Sequence, residues 1–272
     1  MHTLKLAEVS IGSRNGSAQS RLLRQTKLFS SIWDISELLQ LNCSEKQEMN
    51  QHNLQFHHRR AKAGEPIYRL GQLFESLYIV RFGFLKVVLR NAEGDERVLS
   101  FPMKGNVLGF EGIYCNQYGT EAIALTDCEL VVIPFKQLLT RDDACRELEQ
   151  MIYVAISREL TEGYAGVSLS SPLKSEARVA RFLDELVKRY AALGYSSKEI
   201  SLPMTRRDIG CYLGLTLETV SRSLSTLATK GMISVHREKI HILEPKFLHL
   251  FHSSLPYHQL IAKDHIERPL IN

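Results

Sequence analysis

The segment Met204 to Arg222 (MTRRDIGCYLGLTLETVSR) limits the possible folds of this chain more than any other stretch. Ile209 and Leu213 stand one helical turn apart and mark a short helix over Arg206 to Leu213. Gly214 follows where the chain must take a positive φ to leave that helix, and Gly210 leaves room for a second helix to cross closely. Thr216 comes directly after the turn. Its hydroxyl can accept one of the backbone N–H groups that the first turn of a new helix leaves unpaired. Leu215 and Val220 supply the apolar side of that helix. Two short helices joined by a glycine turn make a helix-turn-helix. Ser223 departs from the pattern, standing where an apolar residue packs, and Leu224 is expected to take over.

The second helix then presents Glu218, Ser221 and Arg222 at i, i+3 and i+4, on one face near its N-terminal end. In the major groove, arginine matches the O6/N7 pair of guanine, glutamate accepts from cytosine N4, and serine reaches an adjacent base. A polar triplet alone would be a solvated face. Its place behind a glycine turn with matching buried positions makes it a candidate base-reading surface for double-stranded DNA. Downstream, Gly231 to Val235 and Ile240 to Leu243 flank a polar turn, His236 to Lys239, and read as a two-stranded wing. Arg206, Arg207, Thr216, Lys230, Arg237 and Lys239 are the candidate phosphate contacts. Cys211 lies in the first helix near Arg206 and Arg207. It reads either as a small buried side chain or as a thiol whose oxidation tunes DNA binding.

Upstream the texture differs. From about Asn53 to Phe135, short runs rich in Val, Ile, Leu, Tyr and Phe alternate with glycine-marked turns, which implies a β-barrel or sandwich. Asn91 to Asp95 reads as a hairpin loop between Phe84–Leu89 and Val98–Phe101. A helix is expected before this region, from Phe29 to Leu41, with Ile32, Ile35, Leu38 and Leu39 inward. A long helix is expected after it, from about Arg141 to Val167. Its stripe of Leu148, Met151, Ile152, Ala155, Ile156 and Leu160 at heptad spacing packs either on the β domain or on its twin across a two-fold axis. Arg146, Glu147, Arg158, Glu159 and Glu162 read as its solvent face. Another helix follows from Pro172, capped by Ser171, to about Leu193, with Gly194 as its stop. The fold class is therefore α+β. Residues 1–28 form a basic arm, 29–140 a β-roll, 141–171 a dimerisation helix, 172–247 a winged helix-turn-helix and 248–272 an extension.

Charge follows these divisions. The overall net charge is +4 over 272 residues. Residues 1–28 hold five basic side chains against Glu8, 29–172 are acidic, and 173–272 are basic. A basic C-terminal third suits a polyanion partner. No apolar run reaches the ~20 residues of a membrane span. The best candidate, Leu77 to Leu89, is interrupted by Arg81 and Lys86. No h-region with a cleavage site opens the chain, so a cytoplasmic protein is expected, although an acid-poor start also suits an organelle transit peptide. The five cysteines are widely spaced and include no C-x-x-C, which fits a reducing compartment. An enzyme of the metal-dependent β-barrel oxygenase type would need an H-x-H pair. His57 and His58 are adjacent instead, and no enzyme is expected.

Over residues 29–247 the chain resembles the CRP/FNR family of bacterial transcription regulators. The resemblance rests on Ala63-Gly64-Glu65-Pro66, Ser76 to Val80, Gly105 to Phe110, the long central helix and Thr205 to Arg222. Glu218-x-x-Ser221-Arg222 looks like the FNR branch. The resemblance implies a homodimer that reads a TTGAT-type inverted repeat and contacts RNA polymerase through the hairpin at Asn91–Glu96. It also implies three possible sensors. Cyclic AMP is not expected, because Gly109-Phe110-Glu111-Gly112 and Gly119-Thr120-Glu121 lack the family's phosphate-clamping arginine and Glu121 would repel the ligand. A 4Fe-4S cluster is not expected, because residues 1–42 contain no cysteine and Cys128 near the family's roll position lacks partners. Haem would have to use His52, His57 or His58, which read more simply as a solvated strand end. The alternative to a cofactor-free regulator is a cyclic-nucleotide- or haem-responsive one with the same DNA-binding domain.

Overall fold

The computed structural model describes residues 29–41, 54–91, 94–140, 143–167, 174–246 and 248. The expected arm 1–28, the extension after 248, Ser171, Pro172, Cys43 and His52 lie outside them. The described chain opens with strand β1 (Phe29–Ser31) and helix α1 (Ile32–Leu39). The helix expected from Phe29 thus begins at Ile32, because Phe29 to Ser31 pair antiparallel with His57 to Gln55. Ser31 ends the strand and caps the helix. Its hydroxyl accepts from the Asp34 N–H, and the Asp34 carboxylate accepts from the Ser31 N–H. Ile32, Ile35, Leu38 and Leu39 are buried as their spacing requires.

Strands β2 (Gln55–Ala61), β3 (Pro66–Tyr68), β4 (Ser76–Phe82), β5 (Leu85–Arg90), β6 (Glu96–Ser100), β7 (Val107–Leu108), β8 (Glu121–Ala124) and β9 (Cys128–Pro134) follow, with short helices α2 (Gly112–Cys115) and α3 (Phe135–Leu138) among them. They form two antiparallel sheets, ordered β1-β2-β9-β4-β7 and β3-β8-β5-β6. The loop Asn91–Asp95 joins β5 and β6, closed by the Asp95 N–H donating to Asn91 Oδ1 at 2.7 Å. Gly83 turns between β4 and β5 at φ +94°, and a Cβ there would lie 2.6 Å from the Asp127 carbonyl and the Cys128 sulfur. No other residue fits that turn.

The β3-β8-β5-β6 sheet is buried on both faces. Leu85, Val87, Ala122 and Ala124 point into the roll's core. Val88, Val98 and Ile123 point the other way, into a second core shared with the C-terminal domain. Glu121 alternates with Ala122 and shares the outer face with Ile123. This corrects the expectation that Glu121 would repel a ligand inside the roll, because strand parity turns it outward to Arg90 at 3.4 Å.

Helix α4 (Asp143–Val167) packs its stripe on its own roll. Leu148, Met151, Ile152 and Ala155 are at most 5% exposed and belong to the roll's core, with Ile156 packed against it. The assignment of these residues to a dimer seam is therefore corrected, since a partner cannot reach them. Leu160 is 45% exposed, and so are Tyr153 and Val154 on the outward side, at 61% and 44%. Arg158 and Glu159 also depart from the expected solvent face. Arg158 donates to the Leu39 and Gly105 carbonyls, both at 2.9 Å. Glu159 accepts from Asn106 Nδ2 at 2.8 Å and from the Val107 N–H at 3.2 Å.

Helix α5 runs over Ser175–Ala192, starting after the expected Pro172, and the chain turns away at Gly194 with φ +78°. Strand β10 (Glu199–Ser201), helices α6 (Arg206–Leu213) and α7 (Leu217–Thr229), and strands β11 (Ile233–His236) and β12 (Lys239–Ile242) complete the domain. The expected two-stranded wing is a three-stranded sheet, ordered β10-β12-β11. Three residues were too few to signal β10 by alternation.

Burial is the largest influence on Glu159 and raises its carboxyl above the ordinary range, with Glu162 adding to the effect. A carboxyl raised in the folded state favours folding when protonated, and that contribution is lost as pH rises through its folded value. Glu159→Gln keeps the hydrogen-bonding oxygen without the charge. Its melting temperature is expected to exceed the wild type's at pH 7, the gap closing as pH falls toward the unfolded value of about 4.3. A gap independent of pH would place the penalty elsewhere.

Candidate nucleic-acid interface

The reading helix is positioned by three local devices that match the sequence. Thr205 caps α6, its hydroxyl accepting from the Asp208 N–H, while Asp208 Oδ2 accepts from the Thr205 N–H at 2.9 Å. Gly214 leaves α6 at φ +62°. Gly210 faces the incoming turn so closely that a Cβ would sit 2.6 Å from the Leu215 carbonyl oxygen. Thr216 caps α7, its hydroxyl accepting from the Thr219 N–H at 3.2 Å. One device was not foreseen. The Arg178 guanidinium on α5 donates to the Leu213 carbonyl, closing the C-terminal end of α6.

Val220, Ser223, Leu224 and Leu227 form the buried side of α7. Leu224 does take an apolar place, yet Ser223 is also buried, 1% exposed, and its hydroxyl has no partner among the described residues. Glu218, Ser221 and Arg222 lie together on the outward side. Ser221, Arg222, Ser225, Thr226, Thr229 and Lys230 line an open groove of about 550 Å³ along it. The hydroxyls of Ser225, Thr226 and Thr229 donate back to carbonyls one turn earlier on the same helix. Glu218 and Arg222 are exposed, and Ser221 is partly so. The Glu218 carboxyl is held below its usual range by its own backbone N–H and by Thr216, and it stands at the helix's positive end. Arg222 keeps a long contact of 3.4 Å to the Thr219 hydroxyl.

The expected phosphate contacts separate into two groups. Arg207, Lys230 and Arg237 are exposed around the reading helix and wing. Arg206 is partly buried instead, and its guanidinium donates to the Arg237 carbonyl at 3.1 Å, bracing α6 against the wing turn where Arg237 adopts φ +55°. Lys239 pairs with Glu199 at 2.7 Å and ties β12 to β10. Arg206 is thus engaged within the chain, whereas Lys239 stays exposed beside Glu199. Thr216 is engaged as a cap and lies 3.0 Å from the Thr219 hydroxyl. Cys211 is partly buried among apolar neighbours.

The roll's interior bears on its possible ligands. Tyr68 stacks on Tyr118 at 4.1 Å between ring centres, and both are 1% exposed. Glu111 accepts from the Thr120 hydroxyl, so the two groups satisfy each other. Burial pushes the Cys128 thiol above its usual pKa, and its sulfur contacts the Phe84 and Thr126 carbonyls. That environment suits a neutral thiol. Among the described residues no three His, Cys, Asp or Glu side chains converge as a metal site. His58 is buried between Ser30, 2.8 Å from Nε2, and Glu129, 3.0 Å from Nδ1. No helix among the described residues is long and apolar enough to cross a membrane.

A β-roll joined through one long helix to a winged helix-turn-helix is the architecture of a ligand-type sensor domain fused to a DNA-binding domain. Comparison with known proteins agrees. Residues 58–141 match the cyclic nucleotide-binding domain family and residues 177–251 the Crp-like helix-turn-helix domain. The transcriptional regulatory protein btr of Bordetella pertussis is 36% identical over 185 residues, covering 68% of this chain and 76% of that protein. The transcriptional activator protein anr of Pseudomonas aeruginosa is 33% identical over 186 residues, covering 68% and 76%. The structure of FixK2 from Bradyrhizobium japonicum superposes with a TM-score of 0.65 at 28% identity, covering 74% of this chain and 100% of that one. The chain belongs to the CRP/FNR family of transcription regulators and is not an enzyme.

The unpartnered hydroxyl of Ser223 costs stability, because burial strips its water and returns no hydrogen bond. Ser223→Ala removes that group with little change of shape. It is expected to stabilise the protein by about 1 kcal/mol, read as a higher urea midpoint at unchanged slope. A destabilised variant would mean that the hydroxyl has a partner after all.

Proposed function

We propose that the protein binds a TTGAT-type inverted repeat as a homodimer and activates transcription there through RNA polymerase, in the cytoplasm and without cyclic AMP, haem or an iron–sulfur cluster. The observation that carries this reading is the outward face of α7, where Glu218 and Arg222 are exposed and Ser221 partly so, together toward the N-terminal end among the described residues. Arg222 is assigned to guanine, Glu218 to cytosine N4 and Ser221 to the neighbouring base. Arg207, Lys230 and Arg237 supply phosphate contacts around them. Activation is supported by likeness to a protein named as a transcriptional activator. The hairpin Asn91–Glu96 is a fit for a polymerase contact, because Glu96 is anchored to Lys86 and Arg90 and Asn91, Gly94 and Asp95 are exposed. The roll's filled tyrosine interior and the engaged Glu111–Thr120 pair support independence from cyclic AMP. Cys128, buried as a thiol, supports independence from a cluster.

The partner helix meets the exposed side of α4, which keeps Leu160 of the heptad stripe and none of its buried members. Tyr153 and Leu160, seven residues apart, share one exposed line along α4, and the same line on a second copy would cover it. Tyr153→Glu with Leu160→Glu is expected to give monomers in analytical ultracentrifugation while leaving the circular dichroism spectrum unchanged. A double variant that remains dimeric would remove this seam.

Arg222→Ala is expected to weaken binding to the repeat by about 1–3 kcal/mol and to relax selection at one guanine, measured by fluorescence anisotropy on single-base variants of the site. Equal weakening on every sequence would show that Arg222 touches only phosphate.

A further inference from the structure

The outer face of the β3-β8-β5-β6 sheet carries charged side chains around its apolar centre, and they connect in one line. Glu121 on β8 meets Arg90 at 3.4 Å, and Arg90 meets Glu96 at 3.2 Å. Glu96 meets Lys86 at 2.6 Å, and Lys86 meets Asp208 at 2.8 Å. Four of these groups belong to the roll and the last begins the helix-turn-helix. Asp208 uses its two oxygens differently. Oδ1 takes the Lys86 ammonium, while Oδ2 accepts from the N–H and hydroxyl of Thr205 at 2.9 and 2.6 Å. The carboxylate that starts α6 is therefore the one that fastens it to the roll. We propose that Lys86 is a positioning residue, which through Asp208 fixes the angle of the reading helix on its own roll and so sets the spacing between DNA half-sites that the dimer accepts.

The apolar part of this junction cannot fix an angle by itself. Val88 and Val98 sit against the C-terminal domain, and Phe101, Phe182 and Tyr212 meet with ring centres 5.3 to 5.9 Å apart. Apolar contact is non-directional, and such rings can slide or tilt at little cost. A cation held between two carboxylates at 2.6 and 2.8 Å has one arrangement. Lys86 is 15% exposed and Asp208 10% exposed, so solvent screens them weakly. Burial alone would raise the carboxyls of Asp208 and Glu96, yet Lys86, with the Thr205 cap for Asp208 and with Arg90 for Glu96, brings both below their usual range. Without the ammonium, two partly buried carboxylates would face each other and push α6 off the sheet.

The consequence for DNA follows from geometry. In a two-fold dimer, two reading helices must meet half-sites about one helical turn of DNA apart. The docking angle of each domain on its roll decides that separation. The docked arrangement leaves Glu218, Ser221 and Arg222 uncovered, so the ladder holds a reading-competent state. This inference rests on the proposed reading of an inverted repeat by a homodimer, and its test separates the two.

The full-length protein would be titrated by anisotropy against a single half-site and against repeats whose spacer changes one base pair at a time. The wild type is expected to favour one spacer by about tenfold. Lys86→Met should bind all spacers within about threefold of each other, with half-site affinity unchanged, and Lys86→Arg should restore the preference. Lys86→Met retaining the wild-type spacer profile would overturn the proposal. Hydrogen exchange without DNA gives a second readout. The α6 amides should exchange about tenfold faster in Lys86→Met than in wild type or Lys86→Arg, and equal rates would overturn the ladder. If the wild type bound none of the repeats, the DNA assignment would fall while the exchange result still judged the ladder.

Discussion

The β3-β8-β5-β6 sheet has to serve two cores at once, and the placement of the reading helix depends on that. Strands β5 and β8 alternate, so each buries one row of side chains in the roll and the opposite row against the C-terminal domain. The roll cannot pack well inside without presenting Val88, Val98 and Ile123 outside, and those residues need a cover. The cover available is α5 and α6. The C-terminal domain is thereby held by the same sheet that closes the roll, and no flexible spacer intervenes between the two at this point.

That arrangement gives the acidic character of the roll a structural meaning. Glu96 and Glu121 belong to the ladder, and Glu129 pairs with Arg60 and Arg81 on the neighbouring sheet. Asn106 adds a neutral joint on the far side. Its oxygen accepts from Arg189 on α5 at 2.8 Å and its amide donates to Glu159 on α4. Roll, long helix and DNA-binding domain therefore meet at one buried side chain as well as along the ladder. Buried polar contacts of this kind contribute little net stability but define one geometry out of many that apolar packing would allow.

The local structure of the helix-turn-helix was legible in the sequence because short-range rules decide it. Gly210 and Gly214 have no substitutes at a close crossing and a positive φ, and Thr216 must cap a helix that begins directly after a turn. The heptad stripe of α4 was legible only in part. Spacing shows that Leu148, Met151, Ile152 and Ala155 are buried, but it does not show against what, and the roll turned out to be nearer than a partner. Glu121 was misplaced for a related reason, since strand parity needs the register of one residue to be known, and a glycine-rich turn hides it. Arg206 and Lys239 look like any surface cations in sequence, and only the fold brings the Arg237 carbonyl and Glu199 to them. One usable signal lay in Leu77 to Leu89. Arg81 and Lys86 interrupt an apolar strand run where a charge is costly unless paired, so each already implied a carboxylate elsewhere in the chain.

The same distinction changes what the basic C-terminal third means. Its positive charge looks like an undivided footprint for a polyanion, yet much of it is occupied within the fold. Arg178 closes α6, Arg189 holds Asn106, Arg206 braces the wing and Lys239 ties two strands. Among the described residues, the cations exposed around the reading helix and wing include Arg207, Arg222, Arg237 and Lys239. Counterion release scales with phosphates neutralised, not with the net charge of a domain. Under the proposed reading, the cations engaged within the fold add nothing to that release, and discrimination among sites falls to base contacts and to the angle at which the reading helix is held.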